Sequence, residues 1–469
     1  MANLASEVPE PSADGRTYVF ELRPGVRFSN GAPVRPEDFR HSLERFLRLD
    51  VDAVSPYLDG VLGARGCRAE PRSCDLSEGI ETDPRARTIT IHLRAPDAEF
   101  LHKLTLPLAS VVPADTPMRF ARRPLPGTGP YRIASFDPKR GGRLVRNRHF
   151  RPWSQEARPD GYADEIAIDV GGKIDAQLAA VRRGDSDMVN LDDALWVGTL
   201  KPARVRQLGI QYGGQLHSAS GPQLDYMLMN VRSPPFEDER VRQALNYAVD
   251  RREVAELAGG AEVARPTCQI LPPGFPGYRP RCRYTVNPNP AGTWTAPDLA
   301  MAKRLVRESG TRGSPVRVMI ERSRRPLGRY FASLLQRLGY RSSLLVFPLP
   351  AYFRATVPPP DGANVWWGGW FTDYLAPSAF IHPLLGCESP LSEGCDRRID
   401  AQMNRALAQQ SSDPAAANTL WDSVDRRLTD AALAVPLFNR KFITLVSNRV
   451  GNVQHHPMWG LLYDQLWVR

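Results

Sequence analysis

Six cysteines and one tryptophan-rich acidic segment are the residues with the most chemistry to offer. The cysteines fall as three local pairs, Cys67 with Cys74, Cys268 with Cys282 and Cys387 with Cys395, each bracketing a loop rich in Pro, Gly or Arg. Structural zinc usually takes paired ligands about two to four residues apart, and these gaps are longer. No histidine pair at metal spacing accompanies them, since His455 and His456 are adjacent and isolated near the C-terminus. The pattern points to disulfides between nearest neighbours, with other connectivities open. Disulfides in turn imply an oxidising compartment. The second feature is Trp366, Trp367 and Trp370, followed by Asp373. A carboxylate held in a closing, water-poor cleft is a strong partner for a cation. The same aspartate placed before Tyr374 also suits a turn or helix cap, and tryptophans fill cores as readily as they line grooves.

An enzyme needs a constellation, and none assembles. There is no Gly-x-Ser-x-Gly elbow, no phosphate loop ending in Gly-Lys-Ser/Thr and no His-Glu-x-x-His helix. Gly127-Thr128-Gly129 runs into Pro130, which prevents it from opening a dinucleotide-binding helix. A hydrolase built from residues distant in sequence stays open as an alternative. No cofactor and no resident metal are expected.

The chain that must position these residues has 469 of them, enough for two or three domains. The net charge of +10 comes mostly from dispersed arginines. Nucleic-acid binders concentrate such charge on one face, so nucleic acid is excluded as the expected partner. The longest apolar run, Leu104 to Val112, is interrupted by Pro107 and is too short to cross a bilayer. The chain is thus expected to be peripheral to a membrane at most.

Alternating apolar and polar residues predict strands at 17–23, 88–93, 131–136, 143–146, 165–170 and 224–230. Pro36-Glu37-Asp38 predicts a helix start, with Phe39, Leu43, Phe46 and Leu47 as its apolar stripe. Further helices are expected at 97–106, 174–183 and, as one long element, 239–257. Residues 266–297 are dense in Pro and Gly and read as an irregular excursion. After them comes an α/β alternation: helix 298–308, strand 316–320, helix 328–338 and strand 344–347. That order argues for a crossover unit and a helix-covered sheet. Helices at 399–409 and 415–428 precede two strands, 434–438 and 442–446.

Four segments, in order, resemble the extracytoplasmic solute-binding proteins of peptide-type ABC importers, family 5. They are Asp14-Gly15-Arg16-Thr17-Tyr18 through Asn30-Gly31 with Pro36-Glu37-Asp38-Phe39; Gly127-Thr128-Gly129-Pro130-Tyr131 with Arg146-Asn147 and Phe150; Asn230 with Pro234-Pro235-Phe236 through Leu245 and Asp250-Arg251; and Trp370-Phe371-Thr372-Asp373-Tyr374 with Pro377. Each piece is weak alone; together they span almost the whole chain. The resemblance implies an α/β fold of two lobes, periplasmic-binding-protein-like (type II, cluster C), with an extra α+β subdomain.

The expected division is a subdomain at 1–125, incomplete at its start, a first lobe at 126–265 plus 441–469, and a second at 266–440. The resemblance also implies that Asp373 pairs with a ligand's α-amino group, that Trp367 and Trp370 line the groove, and that Tyr226 and the strand to Asn230 present backbone to an extended peptide. Asp250, Arg251, Arg252, Arg240 and Arg242 read as architectural. The implied partners are a short peptide or other small solute and the permease subunits of an ABC importer, the receptor itself being a monomer outside the cytoplasm. Residues 1–10 carry neither a basic nor an apolar leader region. Relatives carry a leader and a longer opening segment, so a removed leader or a piece of a longer chain is expected. A ligand-sensing module of a larger regulatory protein is the rival reading.

Overall fold

The computed structural model describes residues 3–49, 55–154, 160–356, 362–389 and 394–469. The chain folds into two compact units: residues 1–172 with 449–454 and 461–469, and residues 173–448 with 455–460.

In the first unit, β1 (Thr17–Glu21) pairs with the strand that ends near residue 92. Helix α1 (Pro36–Arg48) starts at its proline, carries Glu37 and Asp38 in its first turn, and buries Leu43 and Leu47. Asp38 also accepts the backbone N–H groups of Arg35 at 2.7 Å and of Ala114 at 2.7 Å, so one side chain caps the start of the helix and anchors a later loop. A short α2 (Ala64–Ala69) leads to β2 (Ile80–Asp83) and β3 (Thr88–His92), in sheet order β1-β3-β2. The helix expected at 97–106 shrinks to the single turn α3 (Phe100–Lys103). Asp97 spends its carboxylate on the Glu99 N–H and the Lys103 ammonium, which fixes a turn rather than a longer helix. Strands β4 (Tyr131–Asp137), β5 (Gly141–Arg146) and β6 (Glu165–Asp169) form an antiparallel meander.

The second unit opens with α4 (Ile174–Arg183), β7 (Met188–Asn190), α5 (Asp192–Trp196), α6 (Pro202–Tyr212) and β8 (Leu216–Ser220). The apolar β9 (Gln223–Met229) follows. The long helix expected at 239–257 is two, α7 (Glu239–Ala248) and α8 (Arg251–Ala258). Val249 is extended, and the Asp250 side chain accepts the N–H groups of Arg252 and Glu253, so a new N-cap interrupts the apolar stripe. Beyond β10 (Ala264–Pro266), residues 267–298 contain neither helix nor strand, as their composition predicts.

The α/β alternation then appears as α9 (Leu299–Ser309), β11 (Pro315–Glu321), α10 (Arg325–Leu338), β12 (Arg341–Phe347), α11 (Leu349–Ala355), β13 (Val365–Phe371), α12 (Pro377–Leu385), α13 (Arg397–Gln409), α14 (Pro414–Asp430) and β14 (Ala434–Val446). β14 is one strand of 13 residues where two were expected; a register shift between Pro436 and Phe438 bends it without ending it.

The principal sheet runs β10-β14-β9-β13-β11-β12, and the far half of β14 pairs with β7 and β8. β11 is parallel to β12 and β13; the β9 pairings are antiparallel. Boundaries at 125/126 and 265/266 differ from the division into two units. A cut at 265 would separate β9 from β13, to which it is bonded along seven residue pairs. Likewise residues 441–446 stay with the second unit through β14, and only segments beyond 448 belong to the first.

Buried arginines hold this unit together. Arg251, fully buried, donates to the carbonyls of Thr267, Pro436, Asn246 and Tyr284. Arg242 donates to those of Phe236, Glu237 and Ala431. Both are architectural, in keeping with the sequence pattern. The cysteines pair as Cys67–Cys74, Cys268–Cys282 and Cys387–Cys395.

Candidate functional site

Along an antiparallel ladder, residues directly opposite share a face and neighbours alternate. In the β9–β13 ladder Tyr226 sits opposite Gly368, Asp225 opposite Gly369 and Leu224 opposite Trp370. Tyr226, Trp366 and Trp370 therefore lie on one face, and Asp225 and Trp367 on the other. The adjacent glycines explain how both faces accept large rings. A Cβ on Gly368 would come within 2.5 Å of the Tyr226 ring, and one on Gly369 within 3.2 Å of the Trp196 ring. Each glycine is the space an aromatic needs.

On the second face a charged cluster lines a cavity of about 460 Å³, within the range of small-molecule sites. Asp225, 2% exposed, accepts the Trp367 indole N–H at 3.0 Å and two Arg440 bonds at 2.7 and 3.1 Å. Arg324 comes from the turn after β11, where Glu321 accepts the Ser323 N–H and pairs with Arg324 at 3.1 Å. Its guanidinium stacks 3.9 Å from the Trp367 ring and 4.9 Å from Trp196, which also faces Arg440 at 5.1 Å. Such stacking fixes a planar cation at little further entropic cost. Burial, and then the neighbouring Arg440 charge, hold Arg324 below the ordinary arginine range. Lys201, Arg206 and Glu256 complete the charged wall. With four cations against two carboxylates in the lining, the cavity suits an anionic group.

The residues expected from sequence are dispersed across this frame. Trp367 belongs to the charged cluster. Tyr226 is buried against Gly368, and burial raises its phenol well above the usual range. Trp370 lines a different cavity, of about 650 Å³, with His382, Glu388, Asp400 and Asn404; its buried indole nitrogen has no hydrogen-bond partner among the described residues. Asp373 is half-buried just past the end of β13. Asn230 stands at the opposite end of the ladder, where its side chain accepts the Arg232 N–H at 3.1 Å and closes a turn. At the standard strand rise, about 20 Å of β13 lies between those two ends.

Sequence reading missed Asp225, Arg440, Arg324, Trp196 and Asp192. A signal existed for the first, a lone carboxylate within the apolar run Leu224–Met229. Asp192 accepts the Ile443 N–H at 2.8 Å, and burial pushes its carboxyl up to about 7 against the pull of Arg440. Among the described residues, no group of three or more His, Cys, Asp and Glu side chains could hold a metal ion, and no helix is long and apolar enough to cross a membrane.

The second unit thus combines a mixed sheet with a charged, aromatic-walled cavity. The chain belongs to the bacterial extracellular solute-binding proteins, family 5, whose middle-region model matches residues 1–390. It is 24% identical to the heme-binding protein A of Haemophilus influenzae over 429 residues, covering 85% of this chain and 72% of that one. It is also 24% identical to the dipeptide-binding protein of Escherichia coli over 406 residues, covering 81% and 69%. Among solved structures, the clavulanic acid biosynthesis oligopeptide binding protein 2 superposes with a TM-score of 0.82 at 24% identity, covering 99% of this chain and 86% of that chain. The fold is the two-lobed α/β fold of the periplasmic binding proteins, as expected from sequence.

Proposed function

We propose that this protein is the receptor of an ABC importer that captures a short peptide outside the cytoplasm and passes it, unaltered, to the permease subunits. The observation that carries this reading is the Arg324–Arg440 pair, packed against Trp196 and Trp367 on the wall of the 460 Å³ cavity. Rigid guanidiniums beside indole rings recognise a carboxylate attached to an apolar body. Asp373 would hold the amino end and Trp370 would border the groove, while Tyr226 and Asn230 set the strand that faces it. The dipeptide-binding relative supports the ligand class, and the three cysteine pairs suit an oxidising location. The receptor would act as a monomer.

A thermal-shift screen of dipeptides, tripeptides, free amino acids and haem tests the reading, because a ligand that binds only the native state raises its melting point. Peptides are expected to raise it, and a response to haem alone overturns the ligand class. Asp373→Ala is expected to weaken peptide binding by about 2 kcal/mol, the range for removing one partner of a desolvated charge pair. Unchanged affinity by calorimetry would remove Asp373 from the site.

A further inference from the structure

Positive charge is spread along the chain, but acids do not balance it evenly. Residues 116–151 hold ten Lys and Arg against one Asp, a net of +9 where the whole chain carries +10. This stretch of the first unit supplies β4, β5 and the loops at their ends. Three of its arginines are neutralised by a neighbour: Arg140 pairs with Asp137 at 3.2 Å, Arg143 with Glu165, and Arg146 with Asp160 at 2.7 Å. Arg132 and Arg148, both exposed, have no carboxylate partner among the described residues. They meet at a cavity of about 470 Å³ whose lining also contains Arg146 and His149 and, among the described residues, no carboxylate.

The walls of this cavity are fixed by bonds that leave those two guanidiniums largely unspent. The Ser29 N–H donates to the Gly127 carbonyl at 2.8 Å, which ties the turn at Asn30-Gly31 to the approach to β4. Asn147, buried, donates to the Gly129 carbonyl at 2.9 Å and accepts the His149 N–H at 3.1 Å. The His149 ring packs on Gly31, where a Cβ would come within 3.1 Å of it. Arg148 donates through Nε to that ring at 3.2 Å, and its terminal nitrogens keep their donors free among the described residues. The lining adds the Asn30 amide, whose oxygen accepts the Ala32 N–H at 3.0 Å and whose nitrogen is left to donate.

We propose that this cavity binds a phosphomonoester group, carried by a soluble phosphate or by a lipid headgroup. The site lies within the first unit and does not depend on the peptide-receptor reading. Like charges gathered around one cavity repel each other, and a bound anion relieves that repulsion. Guanidinium forks match phosphate oxygens two at a time, and a phosphomonoester is close to doubly charged at neutral pH, as two uncompensated arginines require. Its three terminal oxygens also give Arg132, Arg148 and Asn30 an acceptor each, where a carboxylate has only two. Ile133, 46% exposed in the same lining, offers an apolar contact to whatever carries the phosphate.

The test is calorimetric titration with inorganic phosphate, and flotation with vesicles of equal parts phosphatidic acid and phosphatidylcholine, both in Tris buffer. The unaltered protein is expected to bind at least one of the two. Heat from phosphate assigns a soluble source, and capture by the vesicles without that heat assigns the headgroup. Arg132→Gln and Arg148→Gln should each weaken the binding seen by about tenfold, the loss of one charge-assisted hydrogen bond. Lys139→Gln removes an equal charge from the exposed β4–β5 turn, outside the lining, and should leave binding within about twofold. If Arg148→Gln lowers the melting temperature through its lost bond to His149, Arg132→Gln decides alone, since it breaks no side-chain bond among the described residues. Binding of neither probe overturns the site. So does binding that Arg132→Gln leaves undiminished, or that Lys139→Gln weakens as much, which reduces it to general charge attraction.

Discussion

The second unit buries two carboxylates in opposite ways. Asp425, on α14, accepts the backbone N–H groups of Ile270 and Leu271 at 3.1 and 2.9 Å and the Gln269 amide at 2.8 Å. Its donors belong to the irregular excursion, so it bolts that loop to a helix. Asp225 takes its bonds from the side chains of Trp367 and Arg440, both of which also wall a cavity. Backbone donors are fixed by the chain; side-chain donors at a cavity can exchange partners when a guest arrives. A saturated carboxylate among backbone groups marks architecture, and one shared with cavity-lining cations marks recognition.

Three substitutions and one reduction put that contrast at risk. Asp425→Ala leaves its donors buried and unpaired, and should cost about 4 kcal/mol of stability in chemical denaturation without changing the affinity of the folded protein. Arg440→Ala strands Asp225 and should cost about 3 kcal/mol, but with peptide binding lost as well. If the Asp425 variant also lost binding, the distinction would fail. Selective reduction of Cys268–Cys282 releases the loop that Asp425 holds, and should cost about 3 kcal/mol, seen as a lower melting temperature. Arg324→Ala should weaken peptide binding by about 2 kcal/mol in calorimetry and also lower the melting temperature, because it leaves the buried Glu321 without its cation.

The smallest effect is the pH dependence of stability. Asp192 titrates at about 7 in the folded protein, above the ordinary aspartate value of 3.8. Its contribution is therefore complete below pH 3.8 and is lost as pH rises through about 7. Stability should fall from pH 5 to pH 8 by on the order of 1 kcal/mol from this group, discounted for its partial exposure. Asp192→Asn should remove that slope in denaturation series across the range.

The architecture was legible where local chemistry decides it. Pro36-Glu37-Asp38 starts α1, Asp298 caps α9 through the Met301 N–H, and Ile174–Arg183 is a helix with the predicted bounds. Pattern misled where one side chain outweighed periodicity: Asp250 split an unbroken apolar stripe, and Asp97 stopped a helix after one turn. Across β14 the apolar pattern lapses at Asn439, Arg440 and Lys441, yet Asn439 and Arg440 pair with β10 and Lys441 with β8, which keeps the strand whole. The site was less legible for a different reason. Asp225 and Arg440 are 215 positions apart, and only the sheet order makes them neighbours. The tryptophan-rich segment was visible, but which face each ring takes follows from the β9 register, a long-range fact.

That same β14 borders β10 and β9 with one half and β8 and β7 with the other. New chain ends introduced there, by permutation or a protease nick, would unzip both ladders at once. The exposed turn at Pro138–Arg140 merely closes the β4–β5 hairpin and is the place to graft a reporter.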